Sequence, residues 1–167
     1  MSAGATSVLF VCLGNICRSP TAEAMFRAKV AAAGLQDVVR IDSAGTGDWH
    51  VGEPPDPRMR AAAADRGVDM TALRARQVRR EDLTAYTFVV AMDAANHAAL
   101  EAMAPGRAVR MLEFLPAGVA GPADGDVPDP YFGGPDGFAD VVELLDAATD
   151  GLLAAVRAQL DGARSPA

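Results

Sequence analysis

The chain has two cysteines, Cys12 and Cys17, and both fall in one octapeptide, CLGNICRS at 12–19, with Arg18 six positions after Cys12. A cysteine is a nucleophile as its thiolate, and a helix N-terminus or nearby cations lower a thiol pKa from about 8.5 to roughly 3.5–7.5. Arg18 carries a planar guanidinium that grips two oxygens of a tetrahedral anion, which a lysine would not reproduce. Between them, Leu13, Gly14, Asn15, Ile16 and Cys17 present consecutive backbone N–H groups, and Gly14 and Asn15 permit the positive φ that turns such groups inward. The segment reads as a cradle for a phosphate-sized dianion with a nucleophile beside it. Spacing alone is weak support, because fourteen arginines in 167 residues often fall six positions after a cysteine by chance. The plain alternative is a buried structural cysteine at a strand end.

What surrounds the segment decides between the two. Ser7 to Cys12 is an almost continuous apolar run, the pattern of a strand buried on both faces of a parallel sheet. Ser19 and Pro20 fit a helix N-cap and first helical residue, and helical periodicity continues until Gly34. A strand, a turn and a helix N-terminus together make an anion site, because the helix end adds about half a positive charge. Ser19 fits two roles, as that cap or as a hydrogen-bond donor to the Cys12 sulfur.

The remaining elements follow the same alternation. Val38 to Ser43 reads as a strand, Ala44 to Pro57 as a loop carrying Trp49 and His50, and Pro57 to Arg66 as a helix ending at Gly67. Tyr86 to Met92 is a strand, Asp93 caps a helix to Met103, Val109 to Leu112 is a short strand, and Gly137 to Leu160 is a long helix. The tail from about 161 is read as frayed. This order predicts an α/β fold of a single domain over 1–167, a parallel sheet with helices on both faces. Right-handed crossovers bring the loops after the strands to one edge, where ligands of such sheets bind.

A phosphoryl transfer at Cys12 also needs an acid for the leaving oxygen. The Gly/Pro-rich stretch 116–135 supplies Asp124, Asp126 and Asp129. Asp129 stands out, since Pro128 and Pro130 stiffen it and Tyr131 and Phe132 beside it would shield it from water and raise its pKa. Trp49, Tyr131 and Phe132 are expected as walls for an aryl ring, with a core anchor as the other reading of Trp49. His50 is read as wall or surface, His97 as surface, and Asp93 first as a helix cap at a strand end where a site role is open. Arg74, Arg76, Arg79 and Arg80 are read as a solvated face, or as a steering patch for acidic phosphopeptides.

Composition narrows the partners. A net charge of −7 argues against nucleic acid. No apolar run approaches the roughly 20 residues of a membrane span, and no export signal precedes the first strand, so no membrane partner and a cytoplasmic location are expected. Two local cysteines make neither a disulfide framework nor a zinc site, so no metal is expected.

The string VCLGNICRSPTAE at 11–23, with DSAGTGDWHVG at 42–52, AMD at 91–93 and DPYFGG at 129–134, resembles the low-molecular-weight protein tyrosine phosphatases, in their bacterial form. The resemblance implies a phosphotyrosine phosphatase I-like fold with a four-stranded parallel sheet, no cofactor, and hydrolysis of phosphotyrosine through a cysteinyl-phosphate. It makes Cys12 the nucleophile, Arg18 the clamp on the equatorial oxygens and Asp129 the general acid. Asn15 and Ser43 become the polar pair that holds the loop's strained shape, Ser19 the helper of the sulfur, and Cys17 the cysteine that pairs with Cys12 on oxidation. Phosphotyrosine proteins are the implied partners, for a monomer or weak dimer. Two rivals share the scaffold. Arsenate reductases pass oxidation to later cysteines, and none follows Cys17 here. Arginine phosphatases carry a threonine where this chain has Ile16, which favours an apolar ring instead.

Overall fold

The computed structural model describes residues 5–134 and 136–164. Four parallel strands, β1 (Thr6–Cys12), β2 (Val39–Gly45), β3 (Phe88–Ala91) and β4 (Ala108–Arg110), lie in the order β2-β1-β3-β4. Five helices connect and follow them: α1 (Arg18–Ala32), α2 (Pro57–Ala64), α3 (Asp82–Ala85), α4 (Ala94–Met103) and α5 (Asp136–Arg164). The four-stranded parallel α/β architecture agrees with the sequence reading.

β1 lies between β2 and β3, with Cys12 paired to Gly45 at its carboxyl end. Its side chains alternate between two apolar clusters, as a strand period of 2 requires. Val8, Phe10 and Cys12 join α1, α2 and α5, whereas Leu9 and Val11 join Leu83 of α3 and Leu100 of α4. Phe10 and Phe26 are fully buried and meet edge to face with centroids 5.8 Å apart. Each such side chain contributes roughly 2–3 kcal/mol by burial, so β1 and α1 are pinned on either side of the loop that joins them.

α5 buries Phe138, Val141, Val142, Leu145, Ala148, Leu152, Val156 and Leu160, a stripe recurring every three or four residues. Lys29 of α1 clamps it, with Nζ 2.8 Å from Asp150 Oδ1 and 2.9 Å from Thr149 Oγ1. α5 continues to Arg164, so residues 161–164 are helical where the sequence suggested fraying; the rest of that tail lies outside the described residues.

Other boundaries move too. Tyr86 is the C-cap of the short helix α3, which sequence reasoning missed, and β3 starts only at Phe88. β4 ends at Arg110, and Met111–Phe114 turn into a 3-10 helix rather than extending the strand.

Candidate active site

The loop between Cys12 and Arg18 is built on contacts from the end of β2 and the two residues after it. The Thr46 and Gly47 N–H groups donate to the carbonyls of Cys12 and Leu13, each at 2.9 Å. Gly45 approaches so closely that a Cβ there would lie 2.7 Å from the Leu13 oxygen. Asn15 adopts φ 57, the one positive φ at a non-glycine among the described residues. This left-handed turn is held from three sides. Asn15 Nδ2 donates to Ser19 Oγ at 2.8 Å and to Ser43 Oγ at 2.9 Å, and Asn15 Oδ1 accepts the Arg76 N–H at 3.0 Å. Ser43 Oγ in turn donates to Glu23 Oε1 at 2.6 Å, and Arg27 pairs with the same carboxylate. Burial pushes the Glu23 carboxyl up, against the pull of Ser43 and Arg27. The consequence is a loop whose N–H groups at 13, 14 and 16–18 find no backbone carbonyl among the described residues. At the start of α1, they are left free of backbone partners, which an anion nest requires.

Cys12 Sγ lies 3.0 Å from Ser19 Oγ and 3.3 Å from the Asn15 N–H. The capping role considered for Ser19 is wrong: Cys17 is the N-cap of α1, without a side-chain cap bond, and Ser19 is the second residue of the helix. The helix starts earlier than expected, which frees the Ser19 hydroxyl to face the sulfur. Cys17 is buried, and burial pushes its thiol up, with the charges of Asp56 and Cys12 adding to the rise.

Arg18 is 2 % exposed, so its charge must be met inside the protein. Nη1 donates to Asp93 Oδ2 at 2.7 Å and to the Val127 carbonyl at 3.0 Å, while Nη2 stands 3.6 Å from Asp129 Oδ2. Burial alone would lower its pKa, but the Cys12 charge and the Asp93 bond outweigh it and hold the guanidinium above its ordinary value. Asp93 also caps α4, accepting the Asn96 N–H at 2.7 Å. The cap reading is correct, and the same carboxylate also meets Arg18.

Cys12, Leu13, Gly14, Ile16, Cys17 and Arg18 line a cavity of about 270 Å³ together with Trp49, His50, Asp129 and Tyr131. The two loops far apart in sequence thus meet over the nest. Trp49 is 68 % exposed, which rules out the core-anchor reading; its ring lies over Gly47. Tyr131 sits with its ring 5.3 Å from the Arg58 guanidinium, which also stacks on Phe138 at 4.7 Å. His50 is a wall residue, its Nδ1 2.8 Å from Glu53 Oε2 and its ring edge over Gly14. The Asp129 carboxylate is 34 % exposed at the cavity rim and accepts the Tyr131 N–H at 3.0 Å. The Phe132 side chain lies outside the described residues.

Sequence reasoning missed several supporting residues. Glu23 stood in the quoted string but had no visible partner, and Arg58 and Arg76 were lost in an arginine-rich composition. Arg76 is not part of a solvated face; it bridges Asp42 at 3.0 Å and Asp82 at 2.9 Å. His97 is half-buried rather than a surface residue, with Nε2 3.1 Å from the Ala108 carbonyl oxygen. Among the described residues no group of three or more His, Cys, Asp or Glu could hold a metal ion, and no helix is long and apolar enough to cross a membrane.

The chain has clear relatives among known proteins. The profile of the low molecular weight phosphotyrosine protein phosphatases matches residues 7–162. A low molecular weight protein-tyrosine-phosphatase of Streptomyces coelicolor is 51% identical over 159 residues, covering 93% of this chain and 96% of its own. The YfkJ phosphatase of Bacillus subtilis is 41% identical over 151 residues, covering 90% and 96%. Its crystal structure superposes with a TM-score of 0.82 at 38% identity, covering 92% of this chain and 96% of its own. A protein tyrosine phosphatase of Entamoeba histolytica, crystallised with Hepes in the active site, gives a TM-score of 0.85 at 34% identity, covering 92% and 98%.

Proposed function

Because this chain belongs to the low molecular weight phosphotyrosine protein phosphatase family, and is therefore a phosphoric monoester hydrolase of phosphotyrosine in proteins, we propose that it works through a cysteinyl-phosphate at Cys12. The observation that carries this reading is the convergence of Cys12, Arg18 and Asp129 on one cavity walled by Trp49 and Tyr131.

In the first step the Cys12 sulfur attacks phosphorus and the bond to the tyrosyl oxygen breaks. Asp129 gives its proton to that oxygen. The equatorial oxygens take the loop N–H groups and the Arg18 fork, preorganised donors that need no rearrangement as charge develops. In the second step Asp129, now a carboxylate, takes a proton from water as the water attacks phosphorus and the P–S bond breaks. Ser19 Oγ, 3.0 Å from the sulfur, donates to the departing thiolate.

Substrate choice follows from the walls. Ile16 lines the cavity, and an apolar side chain there suits an aryl ring better than a phosphoguanidinium. The arsenate reductase reading lacks the later cysteines that it needs. A net charge of −7 supports protein rather than nucleic-acid substrates, and a cytoplasmic monomer or weak dimer completes the reading.

The test is turnover of phosphotyrosine, phosphoserine and phosphoarginine peptides without added metal, with rapid quenching and peptide mapping of the labelled enzyme. Release from phosphotyrosine, label on Cys12 and silence of Cys12→Ser are expected. Label elsewhere, or an active Cys12→Ser, would sink the scheme.

A further inference from the structure

Asp129 rides on residues 115–129, a stretch with no helix or strand to fix it. A general acid has to reach the leaving oxygen within hydrogen-bond distance, so something must hold this stretch. The holding contacts cluster just before Asp129. Val127 is fully buried; its N–H donates to the Met92 carbonyl at 2.9 Å, and its own carbonyl accepts Arg18 Nη1 at 3.0 Å. Next to it, one oxygen of Asp126 accepts the Ala94 N–H, the first of α4, at 2.9 Å and pairs with Arg110 Nη2.

Arg110, at the end of β4, does more than meet that carboxylate. Its Nη2 also donates to the Asp124 carbonyl at 3.0 Å, and Gly125, at φ 75, passes so close that a Cβ would lie 3.4 Å from Nη2. Asp124 closes the turn from within, its Oδ1 accepting the Asp126 N–H at 2.9 Å. Residues 124–126 therefore wrap a guanidinium that the sheet presents. The chain from there to the acid is short and stiff, because Pro128 and Pro130 fix φ near −65° on either side of Asp129. The Asp129 carboxylate itself makes a local bond to the Tyr131 N–H and a looser approach of 3.6 Å to Arg18.

We infer that Asp126, held between Arg110 and the N-terminus of α4, is a positioning residue that sets how far Asp129 reaches over the phosphate cradle. The inference rests on Asp129 being the acid. It predicts a defect concentrated in the step in which the leaving oxygen needs a proton, since Cys12, Ser19 and the loop N–H groups are held independently by β2 and α1, and Arg18, which also touches Val127, keeps its 2.7 Å bond to Asp93.

The experiment compares kcat/KM across aryl phosphates of rising leaving-group pKa for wild type, Asp126→Ala, Asp126→Asn, Asp129→Asn and the double variant Asp126→Ala/Asp129→Asn. With phenyl phosphate, Asp126→Ala should lose about tenfold or more, because small misplacements of a catalytic group carry penalties of up to about 100-fold. With a strongly activated aryl phosphate it should lose less than about threefold, since such a leaving group needs little protonation. In the double variant the phenyl phosphate loss should match that of Asp129→Asn alone. Asp126→Asn, which keeps an acceptor for the Ala94 N–H, should fall between. If Asp129→Asn itself has a flat leaving-group dependence, the assignment of the acid fails and the positioning role falls with it. If Asp129→Asn is steep but Asp126→Ala loses equally on all substrates, or the losses add, the positioning role alone is overturned. Should Asp126→Ala not fold, Asp126→Asn is judged by the same criteria.

Discussion

Arg18 Nη1 lies 2.7 Å from Asp93 Oδ2, while the other oxygen of that carboxylate accepts the Asn96 N–H at 2.7 Å. One side chain thus orients the phosphate clamp and caps α4. The two duties separate by substitution. Asp93→Asn keeps an acceptor for the helix and loses the charge; Asp93→Ala loses both. Both variants should lower kcat/KM by about tenfold or more through a misoriented Arg18. Only Asp93→Ala should also lose about 1 kcal/mol of cap stability. Steady-state kinetics with thermal melts on the same preparations checks this, and a fully active Asp93→Asn would show that Arg18 does not depend on the pair.

Gly45 and Gly47 should differ although they are two residues apart. A Cβ at Gly45 would meet backbone on the facing loop, 2.7 Å from the Leu13 oxygen and 3.1 Å from the Gly14 carbonyl carbon. Backbone has nowhere to go, so Gly45→Ala should move the phosphate cradle and cost about 100-fold in kcat/KM. At Gly47 the obstacle is the exposed Trp49 ring, which can rotate away. Gly47→Ala should change KM for aryl phosphates by a few-fold and leave inorganic phosphate inhibition near the wild-type value; equal effects of the two substitutions would contradict this.

Burial pushes the Cys17 thiol up, and only a thiolate is readily alkylated. Iodoacetamide at pH 7 should therefore modify Cys12 and spare Cys17, with inorganic phosphate slowing the reaction. Peptide mapping by mass spectrometry reads the sites. Equal labelling of both cysteines would mean that the loop opens in solution.

Stability below neutral pH should depend on Asp82. Burial pushes this carboxyl up, but the Arg76 side-chain bonds at 2.9 and 3.2 Å and the Arg79 N–H at 2.7 Å outweigh it and hold it below the ordinary range. The folded protein then binds fewer protons than the unfolded chain, so the contribution is present above about pH 4 and is lost as pH falls through the lowered folded value. Asp82→Asn should cost about 2 kcal/mol at pH 7, and its deficit should shrink as denaturation is repeated toward pH 3. A deficit independent of pH would place its cause outside this ionisation.

Gly151 of α5 packs against the Phe114 carbonyl, where a Cβ would lie 1.6 Å from the oxygen. Gly151→Ala should destabilise by about 1–3 kcal/mol despite the gain in helix propensity. Urea titration reads it, and a stabilised variant would mean that α5 slides freely over the 3-10 turn.

The anion cradle was legible in the sequence because it is local. Cys12 to Ser19 are contiguous, the strand before them and the helix after them follow from hydrophobic pattern, and the nest is a property of their own backbone. The place of Asp129 at the cavity was legible for a related reason: two prolines and a neighbouring aromatic residue mark it off from Asp124 and Asp126 within one loop. The four strands likewise followed from short apolar runs separated by helical periodicity, although their ends did not, since a strand stops where its neighbour stops pairing. β4 gave way to a 3-10 turn within one residue of Arg110.

How distant residues share these groups follows from packing alone. Arg18 meets Asp93 and Val127, 75 and 109 positions away, and Asn15 is held by Ser43 and Arg76, 28 and 61 positions away. Nothing local to Arg76 distinguished it from Arg74, Arg79 and Arg80, and nothing local to Asp126 marked it as more than a rejected acid. Ser19 could be a cap or the sulfur's partner, and the choice turned on where α1 began. The phosphatase family was readable from the chain alone, because Cys12, Arg18 and the turn between them are short-range features. The fold decided the partners, because a buried charge or a strained turn is stable only where packing brings its counterpart, and packing ignores sequence distance.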